Sequence, residues 1–87
     1  MKVVVSKKFE KLLKACPSEM QLKVKAVYEK MLTAQKLSEI PSVEKLSGYS
    51  KYFRVRVGNY RIGFKFEAGQ ISLLAVGDRK EIYRFFP

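Results

Sequence analysis

Eighty-seven residues suffice for one domain around a single core, and a 47% hydrophobic content with five tyrosines and six phenylalanines marks a folded chain rather than a disordered one. Eighteen lysines and arginines against eight acids give a net charge of +10, which points to nucleic acid or to an acidic partner. One cysteine excludes an internal disulfide, and with no histidine in the chain a zinc site lacks its soft ligands.

The run Met1-Lys2-Val3-Val4-Val5 is too short and too soon followed by Ser6-Lys7-Lys8 to be a signal peptide, and no stretch approaches a membrane span. A single cytoplasmic domain over residues 1–87 is expected, with no membrane association. The two cations are distributed differently. Arginine occurs only at positions 54, 56, 61, 79 and 84, whereas nine lysines fall in residues 1–36. Scattered lysine serves solubility, while clustered arginine offers planar forks that match phosphate oxygens. The functional end of the chain is therefore sought after residue 52.

In chain order, Lys2–Val5 reads as a short strand, its three valines suggesting a place inside a sheet. Ser6 is placed to cap a first helix in which Phe9, Leu12, Leu13 and Cys16 share an apolar face. Cys16 on that face reads as a buried structural thiol. Pro17 ends this helix, and Ser18 with Gln21 has capping-box spacing for a second, running to about Lys36. Its stripe is Val24, Val27, Tyr28 and Met31, widened by Met20 and Leu32. Residues Leu37–Ser50 read as an ordered loop.

From Tyr52 to Lys65 basic and apolar residues alternate on both sides of Gly58-Asn59, the signature of two strands joined by a two-residue turn. Such a loop sets Val57 against Tyr60, Arg56 against Arg61, Val55 against Ile62, Arg54 against Gly63 and Tyr52 against Lys65. Arg54, Arg56, Arg61 and Lys65 then share one face, and Phe53, Val55, Val57, Ile62 and Phe64 the other. Like charges directly opposed are destabilising, and no acid lies within residues 52–65. That face suggests a polyanion; the bland alternative is a solvated surface. Ala68-Gly69 makes a second tight turn, Ile71–Val76 returns as an apolar strand, and Gly77-Asp78 releases the chain towards Phe85-Phe86-Pro87. The order β-α-α-β-β-β is an α+β fold, with a helical hairpin on one face of a small, mostly antiparallel sheet and basic residues on the other.

Three blocks carry a resemblance: Glu44-Lys45-Leu46-Ser47-Gly48, then Tyr52 to Arg61, then Val76-Gly77-Asp78-Arg79-Lys80-Glu81-Ile82-Tyr83. In order and spacing they resemble the RelE/ParE toxin superfamily of type II toxin–antitoxin systems. The RelE branch implies a metal-independent, cofactor-free endoribonuclease cutting messenger RNA in the ribosomal A site. The ParE branch implies a non-catalytic inhibitor of DNA gyrase, and a third possibility is a non-toxic RNA-binding module on the same fold. Matched residue by residue, the RelE resemblance implies a catalytic set of Arg54, Arg56, Arg61, Arg79 and Tyr83, flanked by RNA contacts at Lys51, Tyr52, Lys65, Lys80 and Arg84. All five catalytic slots are filled, which favours the RelE branch. Arginine replaces the lysine of well-known relatives at positions 54 and 56, Asp78 stands where many have histidine, and the interval from Arg79 to Tyr83 is shorter. The resemblance also implies an acidic antitoxin wrapping the sheet, on apolar ground such as Leu74 and Val76, with the ribosome and mRNA as targets. DNA would be met only indirectly, through the antitoxin complex.

Without histidine, RNA cleavage by the 2′-hydroxyl needs another base, and Tyr83 is the candidate, its phenol lowered from an intrinsic value near ~10 by adjacent guanidinium groups. Arg61 and Arg79 would hold the phosphorane oxygens, and Arg54 and Arg56 would bind the phosphate and assist the leaving group. Tyr83 has a plainer alternative as a packing aromatic beside Phe85 and Phe86. Tyr60 is expected in the core. Tyr49 and Tyr52 could stack bases or merely cover the connector. Glu67 and Asp78 are the acids expected nearest the basic face.

Overall fold

The computed structural model describes residues 1–87 as β1 (Lys2–Val5), α1 (Lys7–Lys14), α2 (Ser18–Thr33), β2 (Val43–Lys45), β3 (Tyr52–Val57), β4 (Tyr60–Glu67) and β5 (Gln70–Asp78). Single 3₁₀ turns occupy Leu37–Glu39 and Glu81–Arg84. The strands form one sheet in the order β1-β5-β4-β3-β2, antiparallel throughout except for the β1–β5 pair. The α+β architecture is as expected, with one strand more. Val43-Glu44-Lys45 is too short to show a period, and it forms only because β3 offers it a free edge.

Ser6 caps α1 by accepting from the Phe9 amide at 3.0 Å. The second cap differs from expectation. Pro17 stands at the N-cap of α2 with no side-chain bond, and Gln21 Nε2 instead donates to the Cys16 carbonyl at 2.9 Å, tying α2 to the end of α1. That helix stops at Thr33, with Ala34 already extended. Cys16 is buried, its Sγ donating to the Leu12 carbonyl, and burial pushes its thiol pKa up. It is a structural thiol. No helix is long and apolar enough to cross a membrane.

The β3–β4 register is the one the turn dictates: Val57 with Tyr60, Arg56 with Arg61, Val55 with Ile62, Arg54 with Gly63, Tyr52 with Lys65. Gly58 takes φ +58° at the first central position, as a II′ turn requires. Val55, Val57, Ile62 and Phe64 pack beneath the helices against Phe9, Val24, Met31 and Ile40, together with Ile71, Leu73 and Val76 of β5. Tyr60 joins this core from its rim.

Two placements on the sheet differ from the sequence reading. Strand β1 lies at the edge, not inside: Val3 and Val5 pack on the core, while Val4 on the other face stays 42% exposed. In β5, the pairing slips between Gly63 and Phe64, from Ala75 to Leu73, leaving Leu74 as an inserted residue. The slip restores Val76 to the helix face, where it is 1% exposed. Val76 is core and cannot serve a partner as a docking surface.

The second face of the sheet is not open along its whole length. Ile82 and Phe86, from the segment after β5, fold back across it and form a small second core with Leu46 and Ala75. Tyr52 and Leu12 pack at its margin.

Candidate active site

Four strands and the returning segment deliver the polar side chains of the second face. Register places Glu44 of β2 beside Arg54 of β3, then Gly63 of β4 and Ala75 of β5. One step towards the β3–β4 turn lie Arg56, Arg61 and Gly77. The 3₁₀ turn at Glu81–Arg84 passes over Gly77, bringing Tyr83 down onto Arg54.

Arg54 is the hub. Its Nη1 donates to Tyr83 Oη, and its Nη2 lies 3.4 Å from Glu44 Oε2. Burial works against its charge, but the hydrogen bonds and attraction of Tyr83 and Glu44 outweigh it, so the guanidinium pKa is raised and the group stays cationic. Its Nε is buried without a partner. The other oxygen of Glu44 accepts from Arg56 Nη2 at 3.2 Å. One carboxylate thus bridges two of the expected arginines.

The remaining expected residues divide by position. Arg61 opposes Arg56, but its Nη1 bends back to the carbonyls of Gly58 and Tyr60, at 3.0 and 2.9 Å. Arg79 is exposed at the same end of the sheet, its amide donating to the Asn59 carbonyl at 2.8 Å, and its guanidinium makes no bond. Neither hydrogen-bonds Tyr83. Asp78 receives the Lys80 amide at 2.8 Å and makes no ion pair with the arginines. Arg84 pairs with Glu81 at 3.5 Å.

Lys51 and Lys65 lie apart from this cluster, beyond Tyr52 and Phe86, and both pair with Glu67. Hydrogen bonds from Lys51 and then Lys65 hold the Glu67 carboxyl below its ordinary range. Tyr52 is half-buried, edge-on to Phe86 at 5.7 Å and to Tyr49 at 6.0 Å, so its ring covers the second core. Tyr49 is exposed.

Glu44 is the site residue that sequence reasoning missed. It stands in the first of the three blocks, but only recognition of β2 as a strand would have set it opposite Arg54. The face carries one carboxylate in each of its two basic clusters, the unexpected Glu44 in one and the expected Glu67 in the other. Chemically, the cluster near the turn offers guanidinium forks for phosphate oxygens and two oxygen groups whose anions can accept a proton, the Tyr83 phenolate and the Glu44 carboxylate.

Comparison with known proteins identifies the family. The family model described as ParE toxin of type II toxin–antitoxin system, parDE, matches residues 3–83. The chain is 38% identical over 88 residues to Toxin RelE3 of Methanocaldococcus jannaschii, covering all of both chains. A chain in the crystal structure of the RelB-RelE antitoxin-toxin complex from Methanococcus jannaschii superposes with a TM-score of 0.83 at 34% identity, over 97% of this chain and 99% of that one. The intact E. coli RelBE toxin-antitoxin complex contains a chain of the same fold, with a TM-score of 0.71 at 14% identity, covering 88% of this chain and 94% of that one. A family match over nearly the whole chain and a full-length relative at this identity have one consequence: the chain belongs to the RelE/ParE superfamily and is a RelE-type toxin of a type II toxin–antitoxin system.

Proposed function

We propose that this toxin is a ribosome-dependent endoribonuclease that cuts messenger RNA in the A site. The observation that carries the reading is the Arg54–Tyr83 hydrogen bond, which joins the strand arginine to the late tyrosine across 29 positions of sequence. In the proposed reaction the RNA 2′-hydroxyl attacks the adjacent phosphorus, the bond to the 5′-oxygen breaks, and a 2′,3′-cyclic phosphate and a 5′-hydroxyl result. Tyr83 takes the 2′-hydroxyl proton. It does so as the phenolate, its own proton having gone to solvent, and Arg54, donating to the phenolate oxygen, stabilises the charge that the transferred proton then neutralises. Arg61 and Arg79 supply donors to the phosphorane oxygens, Arg61 by leaving its backbone carbonyls. Arg56 holds the phosphate and assists the leaving oxygen through a water, because an arginine hardly deprotonates. Glu44 fixes the two strand guanidiniums in place.

The half-exposed site holds an RNA chain poorly by itself, so the ribosome contributes much of the rate by orienting the substrate. The neutralising partner is an acidic antitoxin. Its likeness is the RelB antitoxin of the relatives' complexes, and its chemistry follows from the +10 charge it must mask. The family model's ParE description supports one other reading, inhibition of DNA gyrase.

Cleavage of a defined mRNA, with and without programmed 70S ribosomes, tests the proposal. Wild-type protein should cut at A-site positions only with ribosomes, and Tyr83→Phe should lose at least about a hundredfold in rate, within the range for removing a general base. Absence of cuts by folded wild-type protein, together with inhibition of gyrase supercoiling, would overturn it.

A further inference from the structure

Tyr83 is 47% exposed, and its one bond to the sheet is the donation from Arg54. Its place depends on what holds the chain around it. On either side, Ile82 at 1% exposure and Phe86 at 2% are buried in the second core. The seat for Phe86 is Gly63. A Cβ added there would fall 2.5, 2.6 and 2.8 Å from three atoms of the Phe86 ring, closer than real Cβ atoms come. Gly63 does not have positive φ, so the glycine is required by the ring and not by the backbone. It is also the direct register partner of Arg54. The ring thus anchors the tyrosine segment one strand away from the guanidinium that Tyr83 must meet. Tyr52 closes the seat edge-on at 83°.

The main core contains neither Phe86 nor Ile82. The segment from Glu81 onward keeps few backbone bonds of its own, that of the Phe85 amide to the Ile82 carbonyl being internal to it. Releasing the ring should therefore free the tyrosine locally and leave the body of the fold intact.

We infer that Phe86, seated on Gly63, is a positioning residue that holds Tyr83 against Arg54. The inference rests on the reading of Tyr83 as the base. Loss of the anchor misplaces the phenol by an ångström or more while leaving the arginines that bind RNA untouched. Such a displacement costs about a hundredfold in rate.

The test compares wild type, Phe86→Ala, Phe86→Leu, Gly63→Ala and the Gly63→Ala/Phe86→Ala double variant. Ribosome-dependent cleavage and NMR of protein labelled with 13C at the tyrosine rings are both read. Phe86→Ala and Gly63→Ala should each lower kcat about 10- to 100-fold with KM changed less than threefold, and Phe86→Leu should recover part of the loss. In both disruptive variants the Tyr83 ring resonance should move towards that of free tyrosine, while the Tyr28 and Tyr60 resonances, from the main core, stay. Adding Gly63→Ala to Phe86→Ala should cost nothing more, because the ring it would displace is already gone. An unmoved Tyr83 resonance in Phe86→Ala, or additive losses in the double variant, would overturn the inference. If wild type cuts no RNA, the nuclease reading fails, and the resonances alone then decide whether Phe86 holds the tyrosine.

Discussion

Replacing Glu44 by glutamine separates charge from shape at the centre of the arginine cluster. Its oxygens lie 3.4 Å from Arg54 Nη2 and 3.2 Å from Arg56 Nη2, and the three side chains are 40, 33 and 58% exposed in turn. Ion pairs this accessible contribute about 0–1 kcal/mol each, and glutamine keeps one acceptor, so the fold should survive with little loss. The effect on RNA has the opposite sign. A phosphate held by Arg56 would lie about 6 Å from the carboxylate, where two unit charges repel by ~0.7 kcal/mol in water and ~2.8 kcal/mol at an effective dielectric of 20. The surface exposure favours the lower figure. Glu44→Gln should therefore tighten RNA binding by roughly threefold, with the gain shrinking as salt shortens the Debye length.

The assay is fluorescence anisotropy with a short RNA carrying a 2′-deoxy residue at the cleavage position, titrated at low and high salt, beside single-turnover cleavage on ribosomes. With Tyr83 as base and Glu44 only fixing the arginines, cleavage should fall less than about tenfold. Weaker binding by the glutamine variant would mean that the carboxylate organises the arginines more than it repels phosphate, and the electrostatic reasoning would be wrong. Tighter binding with a loss beyond about a hundredfold would transfer the base from Tyr83 to Glu44.

Three further outcomes are expected. Ala68 sits at φ +51° beside Gly69 at +75°, a I′ turn with a side chain in the left-handed region; Ala68→Asn should raise stability by about 0.5–1 kcal/mol, seen as a Tm several degrees higher, and an unchanged or lower Tm would refute it. Glu67, lowered by Lys51 and Lys65, stabilises the fold above the ordinary value of 4.5, an effect lost as pH falls through its lower folded value. Urea midpoints between pH 3 and 6 should therefore decline less steeply for Glu67→Gln than for wild type, and identical curves would show that the network adds nothing. Arg79 carries no partner while Lys65 is tied to Glu67, so Arg79→Gln should weaken RNA binding several-fold and reduce the salt slope by about 0.7, with Lys65→Gln changing affinity less than about twofold. Equal losses from the two variants would show one continuous RNA track instead.

The β3–β4 hairpin was legible residue by residue because a two-residue loop containing Gly58 leaves one register, and alternation then assigns every side chain to a face. The same rule failed in β5, where Leu74 is an extra residue and alternation counted across it puts Val76 on the wrong side. Three valines read as interior in β1, although an edge strand needs apolar residues only on the face that meets the helices. Strand β2 left no periodic signal, and with it went Glu44. The late aromatics were visible but not their seat. A glycine in mid-strand is the cue for a close approach, and Gly63 carried that cue without saying what approaches.

The last two omissions, Glu44 and the seat, share a cause, since both concern the second face, where pairing across strands and a returning segment decide what a side chain meets. Its consequences for function are electrostatic. Within residues 52–65 the sequence shows no acid, with Glu67 and Asp78 expected nearby, whereas the fold neutralises the face internally at two places, with Glu44 between Arg54 and Arg56 and Glu67 between Lys51 and Lys65. On this face the cations left without an acid gather where β3 turns into β4: Arg61 held only by carbonyls, and Arg79 and Lys80 with no side-chain bond. A phosphate approaching this face meets unpaired charge there, one row from the Arg54–Tyr83 contact. The second core of Leu46, Ala75, Ile82 and Phe86 bounds that region on its other side. In the proposed reaction, charge draws the RNA to one end of the sheet, and a hydrophobic anchor sets the tyrosine beside it. Neither would place a reacting group without the other.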